Sequence, residues 1–155
     1  MKRLRISKAR GRLRSLSNKD ADAIDRISDE IVETYLHNIR AISSISKEYG
    51  ITPIFIWQPD IYTTGKQLSE SEKKLYEKYL GLRELSKKTL IKIQARKEKL
   101  AAYNFFELSD ALDQLGQDDN FYDYCHLTRK GNLEISRRIA TILKNEFGLN
   151  FHQSF

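Results

Sequence analysis

Phe121-Tyr122-Asp123-Tyr124-Cys125-His126-Leu127-Thr128-Arg129-Lys130-Gly131-Asn132 is the stretch on which the reading of this chain turns. An acid and a histidine stand three residues apart in a short loop, just before an amphipathic segment. In such a loop both side chains can turn toward one point. Asp123 then accepts from one imidazole nitrogen of His126 and fixes its tautomer, leaving the other nitrogen to take a proton from a nucleophile or a water. Thr128 is a good N-cap, and Ile135, Ile139, Ile142, Leu143 and Phe147 follow it at helical spacing. His126 therefore lies close to the positive end of a helix, where the dipole disfavours imidazolium.

Outward from that loop, the chain alternates helical and strand-like patterns. Upstream, Ile24, Ile27, Ile31, Tyr35, Ile39, Ile42, Ile45 and Tyr49 step by threes and fours, predicting a helix from Ala21 to Tyr49 that Gly50 stops. Ile51-Thr52-Pro53-Ile54-Phe55-Ile56-Trp57 is an almost unbroken apolar run, as expected of a strand covered on both faces, with Pro53 near its start and Gln58-Pro59 ending it. Ser69-Glu70-Ser71-Glu72 reads as a capping box opening a long helical stretch to about Ala102, which Gly81 is placed to break. Its Lys/Arg/Glu mixture from Lys87 to Lys99 reads as a solvated face. Tyr103 to Leu108 reads as a second short strand, and Ser109-Asp110-Ala111-Leu112 as the start of a helical turn. The final helix is predicted over 129–147, ending at Gly148. Strands alternating with helices imply an α/β fold with a parallel sheet and right-handed crossovers.

A chain of 155 residues suggests one domain. No apolar run approaches the ~20 residues of a membrane span, and the first residues lack the apolar stretch of a secretory signal, so the default expectation is cytoplasmic. The single cysteine, Cys125, excludes an internal disulfide framework; it reads as structural, and no Cys/His set has zinc-finger spacing. Neither a metal nor a cofactor is expected. The net charge of +6 is local: residues 1–19 carry eight Lys and Arg and no acid, leaving 19 basic against 21 acidic residues in 20–155. Residues 1–19 are thus a basic arm, and 20–155 the globular part. The arm reads either as a contact for phosphate on nucleic acid or a membrane surface, or as a solvated segment. The lack of interleaved aromatic residues for base stacking favours the second.

Asp-x-x-His-Leu-Thr-x-x-Gly-Asn followed by an Ile/Ala-rich helix resembles the last signature block of the SGNH (GDSL-type) hydrolases. The resemblance runs over roughly residues 35–147 and corresponds to the C-terminal half of that domain. It implies a partial three-layer, flavodoxin-like α/β/α architecture with few parallel strands and the N-terminal half missing. In the family a serine attacks an acyl carbonyl, the histidine takes its proton and the aspartate steadies the imidazolium. Carried onto this chain, His126 is the general base and Asp123 its orienter. Gln58 and Tyr62, after the first strand, could line the substrate side or simply pack in their loop. Small acyl esters or acetylated sugars are the implied substrates.

The chain departs from that pattern upstream. It has no Gly-Asp-Ser, no family oxyanion glycine and no Gly-x-Asn-Asp. Ser7, Ser15 and Ser17 lie in the basic arm without a strand-to-helix context. Positioned acid–base help is worth ~10²–10⁴-fold, and each preorganised oxyanion donor ~10²–10³, so the expectation is a truncated esterase inactive by itself. Removing a neighbouring layer from the first strand would wet two or three large apolar residues at ~1.5–3 kcal/mol each, against a whole-domain stability of ~5–15 kcal/mol. A split gene product or a partner chain supplying the missing half is therefore expected. The alternative function is a non-catalytic interaction module, binding a partner chain or an anionic surface through the basic arm or an exposed sheet edge. His37 and His152 are assigned no role.

Overall fold

The structure is a computed structural model that describes residues 21–78 and 80–149. The basic arm, with Ser7, Ser15 and Ser17, and the tail carrying His152 lie outside the described residues.

Among the described residues the elements follow in the order α1 (Ala21–Glu48), β1 (Phe55–Trp57), α2 (Glu70–Lys78), α3 (Leu80–Gln94), α4 (Lys97–Ala101), β2 (Phe105–Glu107) and α5 (Arg129–Phe147). The protein is α/β. Its strands pair in parallel, with Phe55 opposite Phe105 and Trp57 opposite Glu107. The ladder is extended by Phe55 N–H to Asn104 O and by Leu108 N–H to Trp57 O. Helices α2, α3 and α4 all lie in the crossover between the two strands, because a parallel pair cannot be closed by a tight turn.

Helix α1 forms where the periodicity places it. Its buried stripe is Ile24, Ser28, Val32, Leu36, Ile39 and Ser46, which lie on one side at helical spacing. Gly50, at a φ of 64°, turns the chain out of it. Helix α1 packs on α3, and charged pairs rise together along both helices: Lys88 and Lys92 to Asp25, Lys92 to Asp29, and Arg96 to Glu33. The two helices consequently run in the same direction. The basic stretch around Lys87–Lys99 is thus not only a solvated face. Lys88, Lys92 and Arg96 seam α3 and its C-terminal turn to α1.

Three further expectations are corrected. The first strand is three residues long rather than seven. All of Phe55, Ile56 and Trp57 are half-buried and Ile51 is 60% exposed, because β1 has a single strand neighbour among the described residues, although apolar clusters cover both its faces, Phe55 and Trp57 on one and Ile56 on the other. The helical stretch after Ser69 is interrupted at Ala95–Arg96, ahead of the short α4, and Gly81 lies buried inside α3. Ser109 to Leu112 forms hydrogen-bonded turns, Ala111 N–H to Leu108 O and Asp113 N–H to Asp110 O, and no helix. The C-terminal helix and its caps match the expectation: Thr128 Oγ1 accepts from Gly131 N–H, and Gly148 closes the helix at a φ of 66°.

The apolar interior divides in two. One cluster joins α1, α3 and α4 to the sheet through Val32, Leu36, Ile39, Ile93 and Leu100. The other joins the loops after both strands to α5, through Ile61, Tyr62, Leu108, Leu112, Phe121, Leu127 and Ile135. The Asp-x-x-His loop is seated on this second cluster.

Candidate active site

Residues 120–128 fold back on themselves. Thr128 N–H donates to Asn120 O and Tyr122 N–H to His126 O, both inside 3 Å, and Phe121 and Leu127 bridge antiparallel. Phe121 and Leu127 are 3% and 8% exposed and pin the base of this hairpin into the core. Its tip, Asp123 to Cys125, is left at the surface.

The tip is organised by one carboxylate. Asp123 Oδ1 accepts from the N–H of Cys125 at 2.9 Å and of His126 at 2.8 Å. That is the aspartate-centred turn which short acidic side chains favour. Asp123 Oδ2 then lies 2.8 Å from His126 Nδ1. Partial burial pulls this carboxyl up, but the Cys125 amide, the His126 ring and the His126 amide outweigh it and hold it down at about 2. An ionised Oδ2 accepts, so the imidazole proton sits on Nδ1 and the Nε2 lone pair is free. The His126 side chain is 76% exposed, and its Nε2 has no partner among the described residues.

The hairpin tip docks against the segment that follows β1. Ile61 N–H donates to Tyr124 O at 2.9 Å, and Gln58 Nε2 donates to Cys125 O at 3.4 Å. The Asp–His pair therefore lies beside the carboxyl end of β1, where open α/β sheets present their ligands. Gln58 is exposed and next to the pair. Tyr62, by contrast, is 3% exposed and belongs to the core, where its ring packs on Tyr76 and stacks on Tyr124. Of the two residues expected on the substrate side, the structure leaves only Gln58 accessible to a ligand. Asp60, also in this segment, accepts from Tyr62 and Thr63 amides, and its burial pushes its carboxyl up against the pull of those bonds.

Two groups at the site have a place there that the sequence alone does not assign them. In the sequence Glu72 reads only as the last residue of a capping box, and that box is present: Ser69 N–H donates to Glu72 Oε2 and Glu72 N–H to Ser69 Oγ. The same carboxylate also reaches across the fold. Its Oε1 accepts from the N–H of Asn120 at 2.7 Å and of Phe121 at 3.1 Å, and its Oε2 pairs with Lys66 Nζ at 2.5 Å, both side chains fully buried. Lys66 also donates to Asp118 O. A buried ion pair thus clamps the backbone that enters the Asp–His hairpin. Nothing near Lys66 or Glu72 in sequence signals this, since the partners are some fifty residues away.

The second is Cys125. Its sulfur lies 3.7 Å from His126 Nδ1, on the same ring nitrogen that Asp123 holds. Burial, then the Asp123 charge, pushes the thiol up. A nucleophilic Cys–His–Asp relay needs the thiol on the nitrogen opposite the carboxylate, so this arrangement is not one. No serine hydroxyl contacts His126 among the described residues. Helix α5 begins three residues after His126, with Thr128 turned back to cap it and to donate to Asp119 O. No described helix is long and apolar enough to cross a membrane. Compared with known proteins, the chain matches no protein-family model, no curated protein and no solved structure.

Proposed function

We propose that this chain is the acid–base half of an SGNH-type serine ester hydrolase, built on a flavodoxin-like sheet that a further segment or chain completes. The observation that carries the reading is the 2.8 Å contact between Asp123 Oδ2 and His126 Nδ1, beside the carboxyl end of β1, with Nε2 open to solvent. A proton acceptor held by a carboxylate in this way serves a nucleophile placed on its far side. His126 is the general base, and Asp123 orients it and stabilises the imidazolium. Gln58 borders the approach to the ring. The substrate class is small acyl esters or acetylated carbohydrates.

The sheet supports the same reading. Two parallel strands of three residues, all six half-buried, make a sheet smaller than the usual ~4–6 strands, and an added strand at an edge would extend it. Among the described residues no serine hydroxyl or oxyanion donor stands beside Nε2, and the chain by itself is expected to leave esters unhydrolysed.

Nitrogen-15 NMR of the His126 ring in the metal-free protein tests the core of this reading. The Nδ1–H tautomer is expected, and it is lost in Asp123→Asn. An Nε2–H tautomer with Asp123 intact overturns it. So does p-nitrophenyl acetate turnover by this chain that survives His126→Ala. On the genetic side, Gly-Asp-Ser and Gly-x-Asn-Asp are expected in adjoining coding DNA, in frame, frame-shifted or as a neighbouring chain.

A further inference from the structure

We propose that Asp123, Cys125 and His126 form a binding site for a zinc-class divalent cation, and that occupancy of this site switches off the proton acceptor. One ligand atom from each residue converges within 4.8 Å, giving an oxygen, a sulfur and a nitrogen. Thiolate, imidazole and carboxylate are the donors that zinc takes, commonly three from protein with water in the open position.

One edge of the cluster already has the length that the metal polyhedron needs. With Zn–S near 2.3 Å and Zn–N near 2.0–2.1 Å, a tetrahedral S–N edge is about 3.6 Å long. The observed separation of Cys125 Sγ from His126 Nδ1 is 3.7 Å. The corresponding N–O edge is about 3.4 Å, against 2.8 Å between Nδ1 and Asp123 Oδ2, where a proton bridges the gap. Exchanging that proton for a cation requires the carboxylate to pivot outward by about half an ångström. Oδ1 is the pivot, anchored by the two amide hydrogens of Cys125 and His126. Such bonds to the non-ligating oxygen are how ligating carboxylates are oriented. The exposed face of His126 leaves room for water as a fourth ligand.

The proton balance is defined. Cys125 loses its thiol proton to solvent on forming the sulfur–metal bond. Nδ1 gives up its proton to become a ligand, and Nε2 acquires one. The net release is one proton per cation. With Nε2 carrying hydrogen, the ring can no longer accept a proton from a nucleophile. The site does not depend on the ester-hydrolase reading, since binding is read without any substrate.

Cobalt(II) alone, added to the untagged full chain, is the probe. Because Cys125 is the only cysteine, a sulfur-to-cobalt charge-transfer band in the near ultraviolet reports that residue and no other. The expected result is the band together with a four-coordinate visible spectrum, saturating at one cobalt per chain and displaced by zinc. Calorimetry in two buffers of different ionisation heat should give one proton released. Cys125→Ser abolishes the band, and Asp123→Asn and His126→Asn each weaken binding at least roughly tenfold. His37→Asn leaves it unchanged. Circular dichroism confirms that each variant is folded. A six-coordinate spectrum without the band overturns the proposal, as does binding unaltered by Cys125→Ser or saturation at half a cobalt per chain. The nitrogen-15 spectrum, taken with and without zinc, keeps the two readings apart. An Nδ1–H tautomer that zinc does not change refutes the cation site and leaves the base intact.

Discussion

Replacing Glu72 by alanine strips a fully buried cation of its counter-charge. Lys66 Nζ lies 2.5 Å from Glu72 Oε2, and both side chains have no exposed surface. Among the described residues, the other bond to that ammonium is to Asp118 O. Breaking a buried pair by removing one partner costs about 3–5 kcal/mol. Glu72 also satisfies the amide hydrogens of Ser69, Asn120 and Phe121, and a buried donor left unpaired costs about 1–3 kcal/mol. Water entering the vacated space relieves part of this, so the expected loss for Glu72→Ala is at least ~3 kcal/mol, a large share of a domain's ~5–15 kcal/mol. Lys66→Met leaves the carboxylate its three amide donors, and is expected to cost only about 1–2 kcal/mol. The two changes are coupled. In Lys66→Met/Glu72→Ala no bare ammonium remains, so the double variant is more stable than the sum of the singles by at least ~1 kcal/mol. Urea unfolding followed by Trp57 is the assay. Trp57 is the only tryptophan, its ring edge-packed against Tyr35 at 5.2 Å, so its emission reports the loss of the sheet. Amide exchange at residues 120–127 should accelerate in Glu72→Ala before global unfolding. A cost below ~1 kcal/mol for Glu72→Ala, or no recovery on adding Lys66→Met, refutes the clamp.

The remaining predictions concern the same loops. Gly131→Ala would place a Cβ 2.6 Å from the carbonyl oxygen of Asn120, a backbone atom that cannot swing away. The usual helical gain of about 1 kcal/mol is therefore reversed to a net loss of about 1–3 kcal/mol in urea unfolding. Thr128→Ala removes both the cap on Gly131 and the bond to Asp119 O, with an expected loss of about 0.5–2 kcal/mol and faster exchange in the first turn of α5. Burial raises the Asp60 carboxyl, so the folded state holds that proton more tightly than the unfolded one. Relative to Asp60→Asn, the native protein is penalised at neutral pH. It gains stability as pH falls through the raised value toward the ordinary 3.8. A difference between the two unfolding curves that stays flat across that range contradicts the burial argument.

The Asp123–His126 contact was legible because it is local. Three residues separate the groups, and an aspartate in a tight turn binds the amides two and three residues on. For the same reason the capping box at Ser69–Glu72, the cap at Thr128 and the stop at Gly148 could all be read in place. Which of its two readings Tyr62 follows, substrate side or loop packing, was not legible, because its position after a strand said nothing of Tyr76 and Tyr124 closing over it. The length of the first strand was overestimated because an apolar run records what a segment can bury, not how many neighbours are there to bury it.

By itself, the order of residues determined the helical and strand-like segments, their caps, the parallel pairing and the juxtaposition of an acid with a histidine. Each rests on hydrogen bonds or side-chain periodicities spanning a few positions. Only the tertiary structure decided that Glu72 holds the hairpin, that α1 and α3 are seamed by charge, and that Cys125 shares a ring nitrogen with Asp123. The first two depend on backbone and side chains brought together from some fifty or more positions apart. The third depends on which way one turn points its side chains, and no local pattern encodes either.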